Sequence, residues 1–249
     1  MNWKALISSL LMVGPAMAGD FQSAGALYDA GKFAEAAALY EKVEPKSAHV
    51  YFNLGNALFR QEKYGLAELN YEQARRLAPR DPDILANIRF TQQRLGVEEM
   101  NTPPKAWPRL LDSVVESRTL GEWSRYELVA LWLTILAVAG VIWLPRVRAG
   151  MVLIAVVAGI LMTASASVLV LQMRRAPAAI IVAGKAEARF APTADATVHF
   201  QLPEGAKVAI REDRGEWIFV ERADGQQGWV KADTVDHVGI ATEIGRAHV

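Results

Sequence analysis

Two stretches decide how this chain folds: Leu128–Leu144, LVALWLTILAVAGVIWL, and Met151–Leu171, MVLIAVVAGILMTASASVLVL. Neither holds an ionisable residue, and only Pro145–Gly150, PRVRAG, separates them. A helix rises about 1.5 Å per residue, so about 20 apolar residues cross about 30 Å of hydrocarbon. The second run is long enough alone. The first becomes long enough if its helix opens near Leu120, where Thr119 and Glu122 have the spacing of a capping box. Trp123 and Tyr126 then lie near one end and Trp143 near the other, matching the two headgroup levels. The expectation is a transmembrane hairpin over 120–173, with spans near 124–144 and 151–172. Ala137, Ala139, Gly140, Ala158, Gly159, Ala164, Ser165, Ala166 and Ser167 suit close helix contact, because lipid supplies no hydrophobic force between helices. With no charge inside either run, ion or proton transport is not expected.

The remaining composition narrows the function classes. Basic and acidic residues balance at 27 each, so no nucleic-acid footprint is visible. Cysteine is absent, which excludes disulfides and thiolate chemistry. At the N-terminus, Lys4 precedes the mostly apolar Ala5–Val13, and Ala16-Met17-Ala18 carries small residues where a signal peptidase reads. A signal peptide over 1–18, cleaved after Ala18, is expected. At the other end, Ile244–Val249 matches an in-frame translation of a sequencing-library adapter. Residues 239–249 read as a tail, and Ile244–Val249 takes no part in the expected fold.

Between the signal and the hairpin the chain repeats itself at an offset of 31 residues. Ala26-Leu27-Tyr28 returns as Ala57-Leu58-Phe59, Lys32-Phe33 as Lys63-Tyr64, Ala36 as Ala67, and Tyr40 as Tyr71. Small residues recur where paired helices must approach, and aromatics recur as wedges. Leu54-Gly55, Leu58, Tyr64, Ala67, Tyr71, Ala74 and Pro79 resemble the tetratricopeptide repeat (TPR). The first copy departs from that pattern: Ala24 stands in place of the usual glycine, and the copy is about a turn short. A third helix follows, with Asp81 as cap, Pro82 in an early position and Ile84, Leu85, Ile88 and Leu95 at helical spacing. It has no partner helix and is expected to close the stack. The repeat domain spans 19–100. The resemblance implies a groove for a protein ligand, and helical phase puts His49, Phe52, Asn53, Asn56 and Arg60 on that face.

Residues 101–119 read as a linker, Asn101-Thr-Pro-Pro-Lys105, followed by an amphipathic segment. Trp107, Leu110, Leu111, Val114 and Val115 oppose Arg109, Asp112, Glu116 and Arg118. The segment either lies in the membrane interface or packs on the repeat. Two signals bear on orientation and disagree. The signal peptide, with Arg146 and Arg148 in the turn, puts the soluble parts outside the cytoplasm. Arg118, Arg125, Arg174 and Arg175 at the other ends argue the reverse. The signal acts first, so a periplasmic placement is expected.

After Arg175 the pattern changes to short strands and turns. Ala186–Phe190, Pro203-Glu204-Gly205, Val208 with Ile210, Glu216-Trp217, Asp224-Gly225 and Gly228-Trp229-Val230 resemble the bacterial SH3 family over 183–238. That resemblance implies a small barrel binding cell-wall peptide or protein, with Trp217 and Trp229 offered for its ligand surface and the core as the other place for one of them.

The expected fold is thus a multidomain membrane protein: an all-α TPR repeat, two transmembrane helices and a small all-β SH3-like barrel. The whole order resembles the BatE-type proteins, named for the Bacteroides aerotolerance operon. This implies an adaptor in the bacterial inner membrane that works with von Willebrand factor A domain membrane proteins and a MoxR-type ATPase. No nucleophile elbow, zinc-protease motif or phosphate loop is present. The four histidines are scattered, and no acidic pair stands out from solvated helix charges. Catalysis, cofactors and metals are therefore not expected. Two functions remain open: a scaffold that holds a partner protein in the repeat groove, and a tether whose barrel binds peptidoglycan.

Overall fold

The computed structural model describes residues 15–102, 110 and 113–239, with only the backbone of residues 15–18. The chain divides into two compact units. One joins residues up to Pro104 with those from Ala176 onward; the other is Lys105–Arg175.

The first unit begins with helices α1 (Pro15–Asp29), α2 (Phe33–Tyr40), α3 (Ala48–Phe59), α4 (Tyr64–Leu77), α5 (Pro82–Leu95) and the short α6 (Glu98–Asn101). Local chemistry explains the boundaries. The Ser47 hydroxyl accepts from the Val50 N–H at 3.3 Å and opens α3. The Asp81 carboxylate accepts from the Asp83 and Ile84 N–H groups, and Pro82 fills the first helical position of α5, where its missing donor costs nothing. Gly96, at φ 69°, ends α5 in the left-handed region.

Pairs α1–α2 and α3–α4 form the two copies of the repeat, and α5 is the third first-type helix. Ala24, Ala36, Tyr40, Leu54, Ala57, Leu58, Ala67, Tyr71, Ala74, Ile84 and Ile88 make one buried core. A Cβ on Gly55 would stand 2.6 Å from Cε1 of Tyr71, which explains the glycine in that copy. The shortness of the first copy lies in α2, eight residues against fourteen in α4. The expected signal segment falls outside the described residues, apart from the helical backbone of residues 15–18.

The rest of this unit is a seven-stranded antiparallel sheet of β1 (Ala178–Ile181), β2 (Lys185–Arg189), β3 (Val198–Pro203), β4 (Lys207–Asp213), β5 (Trp217–Glu221), β6 (Gln227–Lys231) and β7 (Val235–Val238). The strand order is β3-β2-β6-β5-β4-β1-β7. The β5–β6 hairpin turns at Asp224-Gly225, with Gly225 at φ 90° and the Asp224 carboxylate accepting from the Gln226 N–H.

The sheet begins five residues before the expected boundary at 183. Strand β1, AAII, lacks alternation because both its faces are covered. Ala179 and Ile181 enter the barrel core with Leu202, Val208, Val220 and Val230, while Ile180 meets Leu69 of α4 and Val238. The barrel thus docks on α4 through β1 and β7, and on α6 through β4.

In the second unit, helices α7 (Leu120–Trp143) and α8 (Arg148–Arg174) are joined by a 3-10 turn at Pro145–Val147. Both are long and apolar enough to cross a membrane. The Thr119–Glu122 capping box forms, with bonds of 3.2 and 2.9 Å. Of the small residues expected at the contact, Ala137, Gly140, Ala158 and Ser165 are buried, whereas Ala139, Ala164 and Ser167 are exposed. The Ser165 hydroxyl donates to the Glu127 carboxylate, which stands one residue before the first apolar run. Trp107, Leu111, Arg109 and Asp112 of the amphipathic segment lie outside the described residues. In its described part, Val115 is buried, Leu110 and Val114 are exposed, and the Arg175 guanidinium pairs with Glu116 at 2.7 Å.

Candidate functional site

Helical phase aligns His49, Phe52, Asn53, Asn56 and Arg60 along α3, since residues three and four apart share a face. His49 is exposed, and Phe52 and Asn53 are half-buried. The Phe52 ring lies 6.0 Å from the Tyr71 ring. Two of the five have further work inside the stack. The Asn56 side-chain oxygen accepts from the Tyr71 hydroxyl and from the Asn87 amide, each at 2.8 Å. The Arg60 guanidinium sits 4.6 Å above the Phe33 ring, which draws it toward the preceding copy.

Asn87 was not among the expected residues, although it stands 31 residues after Asn56 and so occupies the same position in the next copy. The Tyr71 phenol is 2% exposed, and burial pushes it above its ordinary range, so it remains a neutral donor. Phe52, Asn53, Asn56 and Asn87 therefore form an amide-lined strip on α3 and α5. An amide carries both donors and acceptors, the pair of functions needed to hold an extended peptide backbone.

The tryptophan surface expected on the barrel is corrected by the structure. Trp217 and Trp229 are each 7% exposed. Phe219 packs 5.0 Å from the Trp229 ring, and the Arg214 guanidinium covers it at 4.5 Å. The accessible aromatics lie elsewhere. Phe190, 63% exposed, stands 4.3 Å from the His199 ring, and Phe200 is 5.1 Å beyond with Arg222 over it.

A second departure lies where the barrel meets α4. Glu68 and Glu72 look like solvated helix charges in the sequence, yet they are 0% and 3% exposed. Glu72 pairs with Arg75 at 2.8 Å and with Lys207 of β4 at 3.1 Å. Burial pushes its carboxyl upward, but those two cations outweigh burial and hold it at about 2. One Glu68 oxygen accepts from the Gln92 amide at 2.6 Å, and the other has no hydrogen-bond partner. Burial first, then the charge on Glu72, pushes the Glu68 carboxyl up to about 8.

Around this cluster the two parts interlock. The Gly65 N–H donates to Glu204 at 2.6 Å, the Asn101 amide donates to the Gly205 carbonyl at 3.0 Å, and the Lys207 N–H donates to Asn101 at 2.8 Å. Gln73 and Arg76 donate to main-chain oxygens of His237 and Val238.

Known families match at two places. The tetratricopeptide repeat family matches residues 48–81, which hold α3, α4 and the turn to Asp81. The bacterial SH3 domain family matches residues 185–236, from β2 into β7, and leaves β1 outside. No curated protein and no solved structure matches the chain. The chain therefore carries a tetratricopeptide repeat, a bacterial SH3 domain and two helices fit to span a membrane.

Proposed function

We propose that this protein is a membrane-anchored, non-catalytic adaptor that holds a partner protein on the amide-lined face of α3 and α5. The observation that carries the reading is the strip of Phe52, Asn53, Asn56 and Asn87, two half-buried asparagines at equivalent repeat positions bridged to each other. The resemblance to the BatE-type proteins supplies the partner class: von Willebrand factor A domain membrane proteins and a MoxR-type ATPase of a bacterial envelope complex. The repeat and the barrel are one compact unit, and two apolar helices separate them in the chain. A double crossing of the inner membrane keeps both on one side. The signal-like start and the Arg146/Arg148 turn favour the periplasmic side.

The test uses the full chain in detergent, with capture of solubilised von Willebrand factor A domain proteins as the readout. Asn53→Ala with Asn87→Ala removes two amide side chains, each worth about 1 kcal/mol, so affinity falls about tenfold or more. Unchanged capture by this variant, with its helix content intact, refutes the reading. Asn56 is the poorer target, because its loss also leaves Tyr71 without an acceptor.

The exposed Phe190 and His199, with the half-buried Phe200 beside them, favour a second reading, a cell-wall tether, since aromatic faces suit sugar rings and peptide alike. Retention of the full chain on purified sacculi, lost on Phe190→Ala, would support it. Retention equal to that of an unrelated membrane protein would count against it.

A further inference from the structure

The carboxyl pair beneath the barrel has no part in the partner-binding strip. Glu68 and Glu72 lie one turn apart on α4: Glu72 pairs with Lys207 of the barrel, and Glu68, bonded to Gln92 of α5, stands one turn from both Glu72 and Gly65, whose N–H meets Glu204 of the barrel. The groups acting on Glu68 come from three elements. Its own helix brings Glu72, Arg75 and the neutral Tyr71; α5 brings the uncharged Gln92; β4 brings Lys207. The other elements packed on α4 contribute contacts of a different kind. Helix α3 brings the uncharged Asn56 and Phe52 to Tyr71, the turn before β4 brings the Glu204 carboxylate to Gly65, β1 brings the apolar Ile180, and β7 brings main-chain oxygens to Gln73 and Arg76.

A fully buried carboxyl with one oxygen unpartnered is tolerated only while neutral, because an ion there loses its hydration without full compensation. We propose that barrel docking is a proton-dependent latch: the Glu68 carboxyl is neutral while the barrel is seated on α4, and its ionisation unseats the barrel.

Linkage gives the direction. With the barrel seated, the Glu68 carboxyl is pushed up to about 8. Unseated and hydrated, it returns toward the ordinary carboxylate range. Seating therefore takes up a proton and weakens as pH rises between about 5 and 8, by at most about tenfold in the docking constant per pH unit. Glu72 acts in the opposite sense. Held at about 2 by Lys207 and Arg75, it favours seating above about pH 4.5 and loses that contribution in acid. Seating is thus tightest near pH 5. Release would uncover Leu95 and Val97 at the end of the stack, which Gly205 of the barrel now covers.

The chain has no cysteine, so a single labelled pair reports on seating. Spin labels on Ala38→Cys and Gln201→Cys, both exposed, report the repeat-to-barrel distance in the full chain in nanodiscs. The expected result is one narrow distance at pH 5.5 and a second, broader population that grows toward pH 9. With Glu68→Gln, which keeps size and loses the titration, the narrow distance persists across that range. The same pH response in Glu68→Gln as in the parent overturns the proposal. Should Glu68→Gln fail to fold, the labelled parent alone decides, and an unchanged distance from pH 5.5 to 9 overturns it. Partner capture is not part of the readout, so a failed latch leaves the adaptor reading standing, and the reverse.

Discussion

Glu204 sits in the turn before β4, yet its carboxylate completes the start of a helix about 140 residues earlier in the chain. Helix α4 opens at Lys63, whose side chain makes no capping bond. The Gly65 N–H instead finds Glu204 at 2.6 Å. Losing an N-cap acceptor costs about 0.5–2 kcal/mol, and a negative charge at a helix N-terminus adds about 0.3–1 kcal/mol before screening. Glu204→Ala removes both and is expected to cost about 1–2.5 kcal/mol. Glu204→Gln keeps the acceptor and loses the charge, so its cost is expected below about 1 kcal/mol.

The assay is urea unfolding of the full chain in detergent, with repeat helicity followed by far-ultraviolet circular dichroism and the barrel by the fluorescence of Trp217 and Trp229, the other tryptophans being replaced by phenylalanine. Because the carboxylate belongs to the barrel and the amide to the repeat, both transitions should shift together, and by more for Ala than for Gln. A barrel transition that moves while the helical one stays put would refute the trans cap. Equal losses for Ala and Gln would show that charge alone, without the acceptor geometry, does the stabilising.

Three other outcomes follow from single contacts. Gly55→Ala drives a Cβ to 2.6 Å from the Tyr71 ring, which Asn56 and Phe52 hold in place. Overpacking of about 1–3 kcal/mol then exceeds the helix-propensity gain of about 1 kcal/mol, and pairing the change with Tyr71→Leu should recover part of the loss in the same urea assay. Lys207→Met removes the barrel's cation from Glu72. The stability gap from the parent should be widest above pH 5 and narrow as pH falls toward 2, where Glu72 begins to take up a proton in the parent as well; a gap that stays constant from pH 7 to 2.5 would contradict the assigned charge pair. Ser165→Ala deprives the Glu127 carboxylate of its donor in the hairpin, and thermal scans in detergent should show a loss of about 0.6–2 kcal/mol in that unit, against no change for the exposed Ser167→Ala.

The parts of the fold that were legible in the sequence are those that depend on local chemistry. The 31-residue offset exposed the helix pairs because each copy must bury the same small and aromatic residues. Asp81 and Pro82 marked α5, and Asp224-Gly225 marked the β5–β6 turn. The rest depends on partners distant in the chain. Strand β1 lacks a period-2 signature because α4 covers one of its faces and the barrel core the other. Glu68 and Glu72, with Arg75 nearby on the helix, have the pattern of a solvated face until Lys207 arrives from the barrel.

The site divides the same way. Phase alone located the α3 face, and the offset already pointed to Asn87. The diversion of Asn56 to Tyr71 and of Arg60 to Phe33 is set by side chains on other helices. The two barrel tryptophans gave no sign that Arg214 and Phe219 would close over Trp229.

The order of the parts along the chain now has a physical consequence. Residues 105–175 interrupt a single compact unit, because the repeat lies before them and the barrel that completes it lies after. The N-terminus of α4 has no acceptor of its own until Glu204 is made, and Ile180 and Val238 cover Leu69 only once β1 and β7 exist. A repeat emerging first must therefore wait, with Gly65 uncapped and Leu69 exposed, until both apolar helices have been made. If the hairpin inserts so that the barrel emerges on the far side, those contacts cannot form. The interlock thus favours an even number of crossings, and it does so independently of the arginines that argue both ways about orientation.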